Sequence, residues 1–256
     1  MPSGNKFYKF EPHKINRSMK KTVKRILWGV AVIIGIIITA AVIFLISFVK
    51  ATKSMTPSET IAVNDSVWCI KDRFVNAYIF KGKNNYLMVD AGLGEKEFKT
   101  EMEKLGIHSD QITTLLLTHT DGDHIGSTGL YKNAAIYMHR DEEQMINGTT
   151  GKTKFSKPKW KFGPYRLLSD NDTLTIDGLR IRILHTPGHT PGSSCYILGS
   201  DYLLTGDNLI MKNGKYQHFV EKFNMNTKQQ IESIRALPDL KSFKYILMAH
   251  HGIIKN

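Results

Sequence analysis

Between Leu115 and Ser127 the chain reads LLLTHTDGDHIGS, with two histidines and two aspartates inside six residues behind an apolar run. Imidazole nitrogens and carboxylates with no cysteine nearby suit Zn²⁺, Fe or Mn. In an extended loop, spacing of two puts His119, Asp121 and Asp123 on one side while His124 points elsewhere. One local segment can therefore feed two adjacent metal sites. Taken alone, the same residues also fit a polar loop with N-capping aspartates. Three other segments repeat the arrangement: ILHTPGHTPGSS carries His185 and His189, YLLTGDNL carries Asp207, and KYILMAHHG carries His250 and His251. Each follows an apolar, strand-like run, so four strand ends would converge on one site. No Ser-His-Asp or phosphate-loop pattern competes for the chemistry.

The elements that must position these groups begin near Thr60. IAVNDSVWCI and FVNAYIF are short apolar runs separated by turn residues, and YLMVDAGLG is a strand ending in Asp90 and glycines. EKEFKTEMEKLGI spaces Phe98, Met102 and Leu105 by four and three on a charged background, an amphipathic helix stopping near Gly106. ITTLLLTH is a buried strand, and GSTGLY is expected to open a helix behind it. AAIYMH, TLTIDGLRIRILHT, SSCYILGSDYLLTGD and FKYILMAH supply further strands. Strands in hairpin-like groups with interspersed helices indicate a layered mixed domain, of α+β class, and not a doubly wound one.

Residues 26–49 are 24 residues without a charge, in which only Thr39 and Ser47 are ordinary polar side chains. At about 1.5 Å per residue they make roughly 36 Å of helix, enough to cross a hydrocarbon core of about 30 Å. A cleaved signal sequence is the competing reading, but the run exceeds the usual apolar region and no clean small-x-small site follows. The formal charge of +12 divides unevenly. Residues 1–50 hold nine Lys/Arg and one acid (+8); residues 51–256 hold 26 and 22 (+4). The excess flanks the apolar segment, which argues against dedicated nucleic-acid binding. The positive-inside rule places a basic tail, 1–25, in the cytoplasm, the span at 26–49, a linker at 50–58 and a domain at 59–256 outside. Cys69 and Cys195 are too few to form a disulfide scaffold and read as buried thiols.

THTDGDH, HTPGHTPGSS, TGD and AHHG, with VNAYIF and VDAG before them, resemble the metallo-β-lactamase-fold hydrolases, in particular the glyoxalase II-like branch. The resemblance spans about residues 60–256 and implies a four-layer αββα sandwich with a dinuclear metal site at one edge. It implies one metal held by His119, His189 and the position of Asp121, and a second by Asp123, His124 and either His250 or His251, with Asp207 bridging. His250 follows a small residue, Ala249; His251 precedes Gly252; the two stay open, with His250 preferred. The cofactors expected are two divalent ions, zinc foremost. Family members usually carry histidine where this chain has Asp121, and a carboxylate there shifts preference towards iron or manganese. His185 and Asp90 are expected to support the site, and His108, His139 and His218 to be ordinary surface or packing residues.

The implied chemistry is hydrolysis of an ester, thioester, lactone or phosphodiester by a hydroxide shared between the metals, with Asp123 as the catalytic base. A di-iron redox protein and a non-catalytic envelope-binding domain are the alternatives. Residues 151–166, with Lys152, Lys154, Lys157, Lys159, Lys161 and Arg166 among Phe155, Trp160, Phe162 and Tyr165, contain no acid. They fit a lid for a small-molecule or anionic substrate, a face on anionic lipid, or a solvated loop.

Overall fold

A computed structural model describes residues 17–152 and 162–256. The chain divides into two compact units, Met1–Thr52 and Lys53–Asn256. The basic tail to residue 16 and residues 153–161 of the basic aromatic segment lie outside the described residues.

The first unit contributes α1 (Arg17–Lys53), whose apolar side chains, among them Leu27, Trp28, Phe44 and Ile46, are exposed all round. It is the one helix long and apolar enough to cross a membrane among the described residues. Residues 50–53, expected in the linker, continue the helix, because Lys50, Ala51 and Lys53 tolerate it and Thr52 bonds back to Phe48 O at 3.2 Å.

In the second unit the first sheet holds β1 (Ile61–Asn64), β2 (Val67–Asp72), β3 (Val75–Lys81), β4 (Tyr86–Val89), β5 (Ile112–Leu116), β6 (Ala135–His139) and β7 (Tyr165–Leu168), in that order. Along it run α2 (Glu95–Glu103) and the single-turn helices α3 (Gly122–Ile125) and α4 (Glu143–Ile146). The second sheet is built from β8 (Thr173–Ile176), β9 (Leu179–His185), β10 (Ser194–Leu198) and β11 (Tyr202–Gly206). After a hairpin, β12 (Leu209–Lys212) and β13 (Lys215–His218), and α5 (Thr227–Arg235), it is completed by β14 (Tyr245–Met248) and β15 (Gly252–Lys255). Its order is β15-β14-β11-β10-β9-β8.

Strand alternation sorts side chains between layers. Tyr78 and Phe80 of β3 point between the sheets and meet Ile181, Tyr196, Leu204 and Leu247. Ala77 and Ile79 of the same strand point outward and pack, with Met88 and Leu115, under Phe98 and Met102 of α2. On the far side Leu203, Ile246 and Met248 lie under Ile234 of α5. The result is the four-layer helix–sheet–sheet–helix sandwich.

Direction then decides where the chemistry goes. β4 through β7 are mutually parallel, so the segments after them leave one edge of the first sheet. β11 is parallel to β14, and β9 runs the same way because both pair antiparallel with β10. Three segments of the second sheet therefore leave a common edge too.

One local expectation needs correcting. GSTGLY opens no helix: Thr128–Leu130 is a single 3₁₀ turn, bounded by Gly126 and carrying Gly129, poor helix residues both. The β12–β13 hairpin and α5 add elements beyond those the sequence patterns mark, although Asn213-Gly214, at φ 52° and 69°, is the usual hairpin-turn pair.

Candidate metal centre

Beyond β5 the chain delivers His119, Asp121, Asp123 and His124; beyond β9, His189; beyond β11, Asp207; beyond β14, His250. His119, His189 and Asp207 offer ligand atoms within 4.8 Å of one another, and so do Asp123, His124 and His250. Asp207 faces both groups. Its Oδ2 is 3.3 Å from His189 Nε2 and 3.9 Å from His119 Nε2; its Oδ1 is 3.2 Å from His124 Nε2 and 3.1 Å from His250 Nε2. Asp121 Oδ2 lies 3.0 Å from His189 Nε2 and 3.4 Å from His119 Nε2, so the aspartate occupies the first group's rim. Asp123 Oδ2 stands 3.5 Å from His250 Nε2 in the second.

Outer partners set the tautomers. His124 Nδ1 is 2.9 Å from Asp90 Oδ2 and His250 Nδ1 is 2.7 Å from Phe74 O, acceptors that can only receive a proton. His189 Nδ1 meets Asn224 Oδ1 at 3.0 Å. His119 Nδ1 is 3.1 Å from Thr118 Oγ1, whose own proton goes to Asp90. Each of these imidazoles thus gives its Nδ1–H to the protein and turns the Nε2 lone pair inward, as a metal-binding histidine does. His119 Nε2, His124 Nε2 and Asp207 Oδ1 are buried without a hydrogen-bond partner. Buried polar atoms are rarely left unpaired. Orphaned lone pairs on nitrogen and oxygen facing a common point fit divalent cations.

The charge balance agrees. Burial pushes the His119 imidazole down to about 4, with the neighbouring His124 adding to the effect. Burial would also lower His124, but Asp207, Asp90 and Asp123 outweigh it and hold that ring well above the usual range. Burial raises Asp207, yet His250, His124 and His189 pull its carboxyl well below the ordinary value. The carboxylates gathered here call for positive charge at their centre, which divalent ions held by the neutral imidazoles would supply.

His251, His139, His185 and Asp90 lie around this cluster. His251 is half-buried, with Nδ1 3.4 Å from Thr56 Oγ1, and does not join the cluster; His250 does. His139, Asp141 and His185 form a third His/Asp group. One nitrogen of each ring is engaged by the protein: His185 Nε2 bonds Pro191 O at 2.9 Å and His139 Nδ1 accepts from Asp141 N at 3.2 Å. The two rings stack at 3.8 Å with 9° between planes and brace the two sheets' edges against each other. Asp90 supports the site through a strained backbone, φ 60°, which aims its carboxylate at Thr118 N and His124.

Sequence reasoning missed Asn224, and it named Lys152 only as one cation of the basic segment 151–166. Nothing in FNMNT marks Asn224 as the partner of His189, since the pairing exists only in the fold. Lys152 pairs with Asp121 and lies 2.8 Å from His189 Nε2. The His rings are at most 2% exposed, whereas Asp121, Asp123 and Lys152 are 21–23% exposed, so the cluster opens to solvent on their side. Phe219 walls it, stacked on His250 at 5.1 Å and edge-on to His189 at 5.2 Å.

A two-sheet sandwich carrying a His/Asp cluster at one sheet edge defines a class, and residues 70–250 match the metallo-beta-lactamase superfamily. The chain belongs to that superfamily. Among curated relatives, an atrochrysone carboxyl ACP thioesterase of Aspergillus fumigatus is 29% identical over 62% of this chain and 35% of its own length. A probable metallo-hydrolase of Methanocaldococcus jannaschii is 28% identical over 60% and 64%. A human acyl-coenzyme A thioesterase is 23% identical over 52% and 60%. The chain thus spans about one to two thirds of the length of these relatives. Among solved structures, a di-zinc class B3 metallo-beta-lactamase from an Alaskan soil metagenome superposes with a TM-score of 0.58 at 22% identity, covering 76% of this chain and 79% of that one. At that identity the likeness shows the fold.

Proposed function

We propose that this chain is a metal-dependent hydrolase of thioesters or related acyl esters, held to a membrane by α1. The observation that carries the reading is the set of inward Nε2 lone pairs, each fixed by an Nδ1 hydrogen bond and gathered around Asp207. His119, His189 and Asp121 would hold one divalent ion and Asp123, His124 and His250 the other, with one Asp207 oxygen to each. Bound there, such ions supply Lewis-acid polarisation of the scissile carbonyl and a water acidic enough to ionise near neutral pH. Asp123, on the exposed rim, would orient that water and take its proton on a carboxylate oxygen. Lys152, on the same rim, would draw in the anionic part of a substrate, and Phe219 would shield the reacting carbonyl from bulk solvent. Two of the relatives above are named thioesterases, which supports thioesters over lactones or phosphodiesters as the first class to assay.

Asp121 favours a second reading. Its carboxylate makes the first group richer in oxygen and more negative, as iron or manganese prefer; a di-iron redox protein would then consume oxygen or peroxide where a hydrolase would not.

Elemental analysis of the full chain in detergent, with initial rates on an acyl-CoA thioester, an aryl ester, a lactone and a phosphodiester, tests the reading. We expect about two ions per chain, thioester turnover, and loss of both in Asp207→Ala. No metal after reconstitution would sink it.

For α1 we propose a single span with the N-terminus cytoplasmic and the domain from residue 59 on the other side, from the excess of Lys/Arg before the apolar run. The intact mass of membrane-extracted protein tests this: loss of the first 40 to 50 residues would make the segment a cleaved signal.

A further inference from the structure

Glu142 belongs to no motif quoted above, yet it is wholly buried. It lies in the turn after β6, and both carboxylate oxygens are saturated. Oε1 accepts from Thr120 N at 2.8 Å and from the Thr120 hydroxyl at 2.7 Å. Oε2 accepts from the Thr190 hydroxyl at 2.6 Å and from Gly192 N at 3.0 Å. Thr120 sits between His119 and Asp121, and Thr190 directly follows His189. One side chain therefore ties together the two loops that carry the first metal group, one from each sheet.

The surroundings are shaped to keep it there. A Cβ on Gly192 would run into the backbone and Cβ of Glu142, so this position admits only glycine at the distance observed. The stacked His139 and His185 rings hold the turn itself against the end of β9. No such link runs from Glu142 to Asp123, His124 or His250.

We infer that Glu142 is a positioning residue for the first metal group, setting the separation of His119 and Asp121 from His189 while leaving the second group alone. This rests on the dinuclear reading above. A buried carboxylate that fixes ligand loops by several charge-assisted hydrogen bonds acts on metal affinity through ligand geometry. The consequence is asymmetric: weakening this link should loosen one ion of the two.

The test is Co²⁺ titration of the full chain, wild type against Glu142→Gln, followed by its visible absorption, with thermal unfolding of the metal-free proteins as the control. Gln keeps the volume but offers one carbonyl and an amide that cannot accept. Two resolved binding steps are expected in wild type. In Glu142→Gln one step should weaken by about 10- to 100-fold with the other unchanged, the usual range for such outer partners. Thr190→Val, which removes a single hydroxyl and keeps the fold's packing, should weaken the same step by less, and Glu142→Asp should recover part of it. Equal weakening of both steps, or loss of both with a collapsed melting transition while Thr190→Val binds as wild type, would make Glu142 a general structural residue and overturn the inference. Unchanged binding in Glu142→Gln overturns it as well, while leaving the hydrolase reading intact. A wild-type chain that takes up no Co²⁺ overturns both.

Discussion

Asp121 is the residue at which this chain departs from the histidine usual in the family it resembles, and its surroundings show how the departure is accommodated. Burial works against its charge, but the adjoining His119 and His189 rings and the nearby Lys152 outweigh it and hold the carboxyl well below its ordinary range. A histidine at this position would bring no charge for Lys152 to pair with. Asp121→His should therefore raise the zinc-to-iron ratio of protein purified from one medium, read by elemental analysis, because a nitrogen replaces a hard oxygen donor. An unchanged ratio would mean that Asp121 serves Lys152 and not the metal. The same logic of outer partners governs the histidines, whose inward nitrogens are fixed by Asp90, Phe74, Asn224 and Thr118.

At the scale of elements, the site depends on loops packed closely enough to touch. The loop after β9 turns through Gly188 at φ 137°, and a Cβ there would strike the backbone of Gln230 in α5. That approach lets Asn226 N reach Gly188 O at 2.8 Å and brings Asn224 to His189. Gly188→Ala combines a disallowed φ with overpacking and should cost about 1–3 kcal/mol in urea unfolding. It should also lower metal affinity, since α5 and the Asn224 segment move together. A variant that unfolds like wild type would show that the loop has room to relax.

For the whole molecule, the salient fact is the concentration of carboxylates at one edge: Asp90, Asp121, Asp123, Glu142 and Asp207 stand within one cluster of hydrogen bonds and histidines. Cations that bind only the folded state stabilise it by mass action. Chelator treatment should lower the melting temperature, and restoring Zn²⁺ or Mn²⁺ should raise it by several degrees. Asp207→Ala, missing the oxygen shared by both groups, should show little of that response. A melting temperature indifferent to chelator in wild type would count against a metal at this edge.

Much of this could be read from the chain alone, for a physical reason. Metal ligands are few residue types at tight spacing, and the strands that carry them are runs of buried apolar residues; both are local. Thus the layered mixed class, the ligand-bearing segments and the long apolar helix follow from composition and order, and the αββα arrangement from the family resemblance that the motifs carry. Sequence left open what depends on residues far apart. His250 and His251 are adjacent and chemically identical, and only the bend after β14, with Phe74 O waiting for one ring, brings His250 to Asp207 and turns His251 to Thr56. Asn224, Lys152 and Glu142 acquire their roles from partners 31 to 35 residues away or, for Glu142 and Thr190, 48. Such pairings are written in no local pattern, because strand direction and layer packing, not spacing, decide which strand ends meet.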